Sequence, residues 1–269
     1  MGTIDWAAGA GSLSAGGKRL EWAAFGGPPR GESPVIVMLH EGLGCVALWR
    51  DFPRRVNEAT GLPVLAYSRA GYGRSDAADL PRSLDYMTHE AEAVLPDVLA
   101  GIEATRYLLL GHSDGATIAA EYAGRVEDFR VRGLILMAPH FFTEPMGLNE
   151  ISRARDAFLS TDLAERMAKY HDNPVATFRG WNDAWLDPRF RSWNVSDVID
   201  YIRVPSLVIQ GRQDQYGTEA QVEEFTRRCY APVEVAMLDG CRHSPQFDQP
   251  DAALAAIAAF VTRLERIEG

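Results

Sequence analysis

Six short apolar runs punctuate the chain, and each gives way to a turn signal and then to a stretch with helical spacing. Val35 to Leu39 leads into a glycine loop and the helical "LWRDFPRRVNEATG". Leu62 to Tyr67 leads into "RAGYGRSD" and then "YMTHEAEAVLPDVLAGI". Arg106 to Leu110 precedes "GHSDGATIAAEY", and Val131 to Met137 ends at "APH". Ser206 to Gln210 ends at "GRQD", and Val233 to Leu238 at "DGCRHSP". None of these runs alternates apolar with polar residues, so each reads as a strand covered on both faces. Strand alternating with helix predicts an α/β fold built on a mostly parallel sheet with right-handed crossovers. The segment from Leu13 to Phe25 predicts an antiparallel hairpin at one edge.

The alternation is interrupted once. Between Pro139 and Pro205 there is no strand pattern, only helical runs such as "ISRARDAFLSTDLAERMAKYH" and "FRGWNDAWL". An excursion of about sixty residues is too long for an ordinary connection and reads as an inserted helical lid. It predicts a core of residues 1–140 and 206–269, with a lid of residues 141–205 over the ligand-binding edge of the sheet. The lid carries Trp181, Trp185 and Trp193, half of the six tryptophans, beside Phe141, Phe142, Phe178 and Phe190. A small helical lid needs large side chains to pack at all. Aromatic walls also suit an apolar pocket, so His140, Trp181 and Trp185 are candidate substrate-binding residues.

Composition narrows the partners. With 37 acidic against 27 basic residues the net charge is -10, and no basic stripe exists to displace counterions from a phosphate backbone. No apolar run approaches the ~18 residues of a membrane span. The N-terminal "MGTIDW" has no basic stretch followed by an apolar core, so a cytoplasmic location is expected. Three cysteines without a C-x-x-C pair, and six scattered histidines, indicate neither a disulfide framework nor a metal site. The expectation is a small-molecule substrate, no cofactor and no metal, with the oligomeric state open.

The stretch Gly111-His112-Ser113-Asp114-Gly115 stands where a strand gives way to a helix. A G-x-S-x-G pattern arises by chance in about one chain in ten of this size. The setting adds what the pattern lacks, because strand, tight turn and helix together form a nucleophile elbow. The turn forces Ser113 into a strained conformation, and the close approach of strand and helix leaves no room for side chains at residues 111 and 115. The helix N-terminus then directs its free N–H groups toward developing negative charge. A plain helix N-cap serine would need neither glycine.

On these residues the chain resembles the α/β-hydrolase superfamily, in its lid-bearing esterase and C–C hydrolase branch, from about Pro34 to the C-terminal helix. That resemblance implies the chain order nucleophile, acid, histidine. "GRQDQYG" places Asp214, and "CRHSPQFDQP" places His243, at the C-terminal ends of successive predicted strands. It therefore implies a catalytic triad of Ser113, Asp214 and His243. "LHEGLGCVALW" resembles the family's H-G-x-x-G loop, with Glu41 where glycine is usual, and implies an oxyanion hole from the N–H groups of Gly42 and Asp114. A carboxylate ~6 Å from the oxyanion would oppose it by about 3 kcal/mol at an effective dielectric of ~20. Glu41 is accordingly expected to point away from the site, neutralised by Arg69 or another nearby arginine. "YSRAGYGRSD" resembles a family loop to which no chemistry is assigned, and Cys45 and Cys241 are expected to fill buried apolar positions.

The implied activity is that of a serine hydrolase cleaving a carboxylic ester of a small apolar or aromatic substrate through an acyl-enzyme. The same triad also serves C–C bond hydrolysis and cofactor-free lyase or oxygenase steps, and a non-catalytic ligand-binding receptor is the alternative outside enzymes. Ser113 in place of aspartate disfavours the dehalogenase and epoxide hydrolase relatives.

Overall fold

The apolar runs become the strands of one eight-stranded sheet in a computed structural model that describes residues 3–268. Met1 and Gly2, on which part of the N-terminal reading falls, and Gly269 lie outside the described residues. β1 (Ala10–Ala15) and β2 (Lys18–Phe25) form the expected hairpin. β3 (Val35–Leu39) is followed by α1 (Phe52–Thr60), and β4 (Val64–Tyr67) by α2 (Tyr86–His89), a π turn (Glu90–Val94) and α3 (Leu95–Ile102). β5 (Tyr107–His112) runs into α4 (Asp114–Arg125), and β6 (Val131–Met137) into the insertion. β7 (Ser206–Gly211) and β8 (Val233–Leu238) close the sheet.

The strand order is β1-β2-β4-β3-β5-β6-β7-β8, antiparallel where β2 meets β1 and β4 and parallel from β4 onward. Val35, Val37 and Leu39 pack with Val98, Ile118 and Leu134 on one face. Ile36 and Met38 pack with Phe52, Ile257 and Phe260 on the other. Non-alternating strands are stable because helices cover both faces. β8 departs from that expectation. It is the outer strand, its residues are half-buried with Val235 exposed, and it has a neighbour on one side only.

The insertion holds α5 (Pro145–Ser160), α6 (Leu163–Met167), α7 (Pro174–Trp185) and two 3-10 turns, Pro188–Ser192 and Ser196–Tyr201. The run predicted as one helix breaks at Thr161, whose extended backbone stops α5 while its hydroxyl donates to the Ala157 carbonyl at 2.7 Å. The two ends of the insertion pair with each other, through Val195 N–H to the Phe141 carbonyl (2.7 Å) and Thr143 N–H to the Trp193 carbonyl (3.1 Å). Polar ties hold it to the sheet domain. His171 accepts the Gly73 N–H at Nδ1 (3.0 Å) and donates from Nε2 to the Leu43 carbonyl (3.0 Å). The Thr177 hydroxyl donates to the Gly71 carbonyl at 2.6 Å. Among the described residues no helix is long and apolar enough to cross a membrane. After β7 come α8 (Glu219–Arg228), α9 (Pro245–Asp248) and α10 (Pro250–Glu268). The C-terminal ends of β3, β5, β6, β7 and β8 thus lie along one edge, and the loops leaving them meet beneath the inserted helices.

Candidate active site

At the end of β5 the backbone of Ser113 adopts φ 53° and ψ -119°, a conformation that costs a non-glycine residue about 1–3 kcal/mol. Neighbours impose it. A Cβ on Gly111 would overlap the Gly115 carbonyl, and one on Gly115 would overlap the Leu39 carbonyl, so two glycines let strand, turn and helix close up. The Ser113 N–H is anchored on the Met137 carbonyl (2.9 Å), and its carbonyl accepts from Ala116 and Thr117 in the first turn of α4.

Asp214 and His243 converge on this serine from 101 and 130 residues downstream. His243 places Nε2 3.0 Å from the Ser113 hydroxyl oxygen, and Nδ1 at 3.0 and 2.8 Å from the two Asp214 oxygens. Asp214 is itself held by the N–H of Tyr216 (2.8 Å) and the side-chain amide of Gln210 (2.9 Å). Burial would push the Asp214 carboxyl up, but the charge and hydrogen bond of His243 and the Tyr216 N–H hold it at about 2. An ionised carboxylate at Nδ1 keeps the proton on that nitrogen and leaves the Nε2 lone pair for the hydroxyl.

A cavity with about 680 Å³ of empty space, its mouth included, opens beside Ser113. Of the eight residues selected from sequence, Ser113, Gly42, Asp114, His140, Trp181, Trp185 and His243 line it, while Asp214 stands behind His243. Other inserted aromatics pack elsewhere, Phe141 against Phe225 of α8 at 5.4 Å and several within the insertion. Phe178 stacks on Phe158 with ring centres 4.0 Å apart, and Trp193 stacks on Phe190 at 5.1 Å. Burial, with the charge of His243 adding to it, pushes His140 down to about 3, so it lines the cavity as a neutral ring. Cys45 and Cys241 are buried, and desolvation raises their thiols to about 12 and about 11, consistent with filling roles. Among the described residues no three His, Cys, Asp or Glu side chains converge as a metal's ligands would.

The loop after β3 is organised by Arg69. This guanidinium is fully buried and donates to the carbonyls of His40 and Glu41, and the His40 ring nitrogen Nδ1 meets the same Glu41 oxygen at 2.7 Å. In a trans peptide the C=O and N–H point in opposite directions. Fixing the Glu41 carbonyl toward Arg69 therefore turns the Gly42 N–H the other way, toward the cavity. Neither the Gly42 nor the Asp114 N–H meets an acceptor among the described residues, which leaves two donors beside Ser113.

Glu41 corrects the expectation drawn from sequence. Its carboxylate does not point away and is not paired with Arg69, which is consumed by backbone carbonyls; it lines the cavity, its Oε2 3.7 Å from Nδ1 of His112. The turn closed by Gly44 N–H to the Glu41 carbonyl (3.2 Å) folds the side chain back over Gly44, where a Cβ would overlap Oε2. Burial pushes the Glu41 carboxyl up, but contact with His112 outweighs this and leaves it below the usual range.

Sequence reasoning passed over several residues that the structure brings in. Tyr86 donates to Asp114 Oδ2 and accepts the Trp185 indole N–H at 3.0 Å, which ties the insertion to the residue after the serine. Burial pushes the Asp114 carboxyl up, with Arg69 and Tyr86 opposing. Gln210, the last residue but one of β7, stood in plain view four positions before Asp214. Tyr86 carried no local signal, because its partner Asp114 lies 28 residues away, and Arg69, expected from sequence as a partner of the Glu41 carboxylate, binds the carbonyls of His40 and Glu41 instead.

A family model described as the alpha/beta hydrolase family matches residues 36–257. The chain is 26% identical over 265 residues to a non-heme chloroperoxidase of Streptomyces lividans, covering 87% of this chain and 93% of that one. It is 25% identical over 267 residues to an N-formylmaleamate deformylase of Pseudomonas putida, covering 93% and 96%. The fold is similar to that of the enol-lactonase from Burkholderia xenovorans, with a TM-score of 0.72 at 20% identity, covering 94% of this chain and all of that one.

Proposed function

We infer that this chain, which belongs to the alpha/beta hydrolase family, is a serine hydrolase that cleaves a carboxylic ester of a small apolar or aromatic substrate through an acyl-enzyme on Ser113. The observation that carries the reading is the continuous hydrogen-bonded path from the Ser113 hydroxyl through both His243 nitrogens to Asp214, opening into a cavity with two unpaired N–H donors. In this role Ser113, His243 and Asp214 act as a catalytic triad. The Ser113 oxygen attacks the ester carbonyl and its proton passes to His243 Nε2. The carbonyl oxygen becomes an oxyanion that the N–H groups of Gly42 and Asp114 receive. As the C–O bond to the alcohol breaks, Nε2 returns the proton to the leaving oxygen. Water then attacks the acyl-serine by the same route, giving the acid and free Ser113. Asp214, ionised throughout the neutral range, stabilises the imidazolium at each stage.

His140, Trp181 and Trp185, with the inserted helices acting as a lid, give this cavity walls suited to an aromatic or aliphatic group. One of the relatives named above is an N-formylmaleamate deformylase, in keeping with attack on an acyl carbon. A fluorophosphonate probe is expected to label the protein at Ser113, and Ser113→Ala is expected to abolish both labelling and turnover of p-nitrophenyl esters. A folded protein that neither labels nor turns over such esters overturns the reading.

A further inference from the structure

Three carboxylates line the cavity, and the protein engages them unequally. Glu144 is fully used: it accepts from the Thr218 N–H (2.9 Å), the Thr218 hydroxyl (2.6 Å) and the Gln221 amide (2.8 Å). Asp114 accepts from Tyr86 at Oδ2, but its buried Oδ1 has no partner. Glu41 makes no hydrogen bond through its carboxylate among the described residues. Its nearest ring nitrogen, in His112, is 3.7 Å away, beyond direct hydrogen-bond reach, and faces the Gln246 amide at 3.1 Å. The Glu41 side chain is about 30% exposed, and it is a wall of the cavity. Among the described residues no lysine or arginine lines that cavity, whose other walls include Leu43, Leu148, Ile151, Trp181, Trp185 and Tyr216.

This arrangement has a consequence for the reaction. A carboxylate one residue before an oxyanion donor opposes the charge that develops on the carbonyl oxygen, unless something neutralises it. Arg69, the nearest buried cation, is committed to backbone carbonyls. His112 stands 3.7 Å from Glu41, outside hydrogen-bond reach, so a charge in direct contact with this carboxylate is one that the substrate itself can bring. A bound ammonium would satisfy Glu41 and sit among the aromatic walls Trp181, Trp185 and Tyr216, whose rings favour cations. It would also remove the repulsion that Glu41 otherwise exerts on the transition state, so it would favour turnover as well as binding.

We propose that Glu41 is a specificity-determining residue that receives an ammonium group carried by the substrate near its scissile carbonyl, with Trp181 and Trp185 as flanking walls. The proposal deepens the hydrolase reading and rests on it for the scissile carbonyl, while the recognition of a cation stands on the cavity alone. It is tested by binding without chemistry. Benzylammonium, benzyl alcohol and benzoate are titrated against the protein at neutral pH and followed by calorimetry. Benzylammonium is expected to bind about 10-fold tighter than benzyl alcohol, with benzoate weakest. Glu41→Gln is expected to bring the ammonium-to-alcohol ratio close to one. Equal affinity of the wild-type protein for the amine and the alcohol overturns the proposal, as does a preference that survives Glu41→Gln. The wild-type series decides alone if that variant fails to fold. Ammonium preference together with absent fluorophosphonate labelling would sink the hydrolase reading and leave the cation site standing.

Discussion

The two walls of the cavity are built on opposite rules. On the wall formed by the ends of β5, β7 and β8, Asp214 accepts from Tyr216, Gln210 and His243, and His243 meets Ser113, so the carboxylate is fully partnered. On the wall formed by the loop after β3 and the start of α4, the Glu41 carboxylate has only His112 beside it, 3.7 Å away, and the N–H groups of Gly42 and Asp114 meet no acceptor among the described residues. Buried polar groups left unpaired are costly and normally rare. The two N–H groups that meet no acceptor mark the side that waits for the substrate's own polar groups, while the hydrogen-bonded triad on the opposite wall is preorganised before anything binds.

If that contrast is correct, damage to the preorganised wall costs most. Asp214→Asn leaves the shape of His243's pocket but removes the charge that fixes its proton, and kcat is expected to fall by about 10⁴-fold with little change in KM. Steady-state kinetics check this, and a loss under tenfold would break the assignment. Next is Arg69→Met, which acts on the waiting wall through the backbone. Freed from the guanidinium, the peptide between Glu41 and Gly42 can rotate and lose one donor, so kcat is expected to fall by about 10²-fold. The buried Asp114 and Glu90 also lose their cation, so the melting temperature is expected to drop as well. An unchanged kcat in a folded Arg69→Met protein would refute the aiming role.

A smaller effect is expected at Tyr86. Tyr86→Phe removes the donor to Asp114 and the acceptor of the Trp185 N–H together, at a cost of about 1–3 kcal/mol in unfolding free energy. Denaturant unfolding measures it, and a neutral result would mean that the insertion and the waiting wall are not coupled through this hydroxyl. The smallest effect is pH-dependent. His140 is held at about 3 in the folded protein against ~6.5 in an unfolded chain. Its contribution is therefore complete above pH ~6.5 and is lost as pH falls toward 3, because only the unfolded chain takes up the proton. The melting temperature is expected to decline over this window less steeply in His140→Gln than in the wild-type protein, and identical slopes would assign the acid sensitivity elsewhere.

What the sequence revealed follows the same division. The sheet was legible because runs such as Val35 to Leu39 and Leu134 to Met137 are apolar on both faces, and the Ser113 turn because Gly111 and Gly115 sit within two residues of it. Asp214 and His243 were found through the chain order that the family resemblance supplied. The direction of Glu41 was not legible. It depends on a fold-back over Gly44, on His112 71 positions later, and on Arg69 being taken by two carbonyls, none of which leaves a local pattern. The half-exposed β8 escaped for a related reason: apolar content reports that a strand belongs to a sheet, not whether it stands at the margin.

Because the two ends of the insertion bond to each other at Phe141 and Val195, residues 142–194 behave as a cassette clipped at its base and fastened at its far side by His171, Thr177 and Trp185. The chemistry hangs from the strands below and borrows nothing covalent from this cassette. A chain built this way can exchange its roof for another and change what it accepts, while the machinery underneath carries over intact.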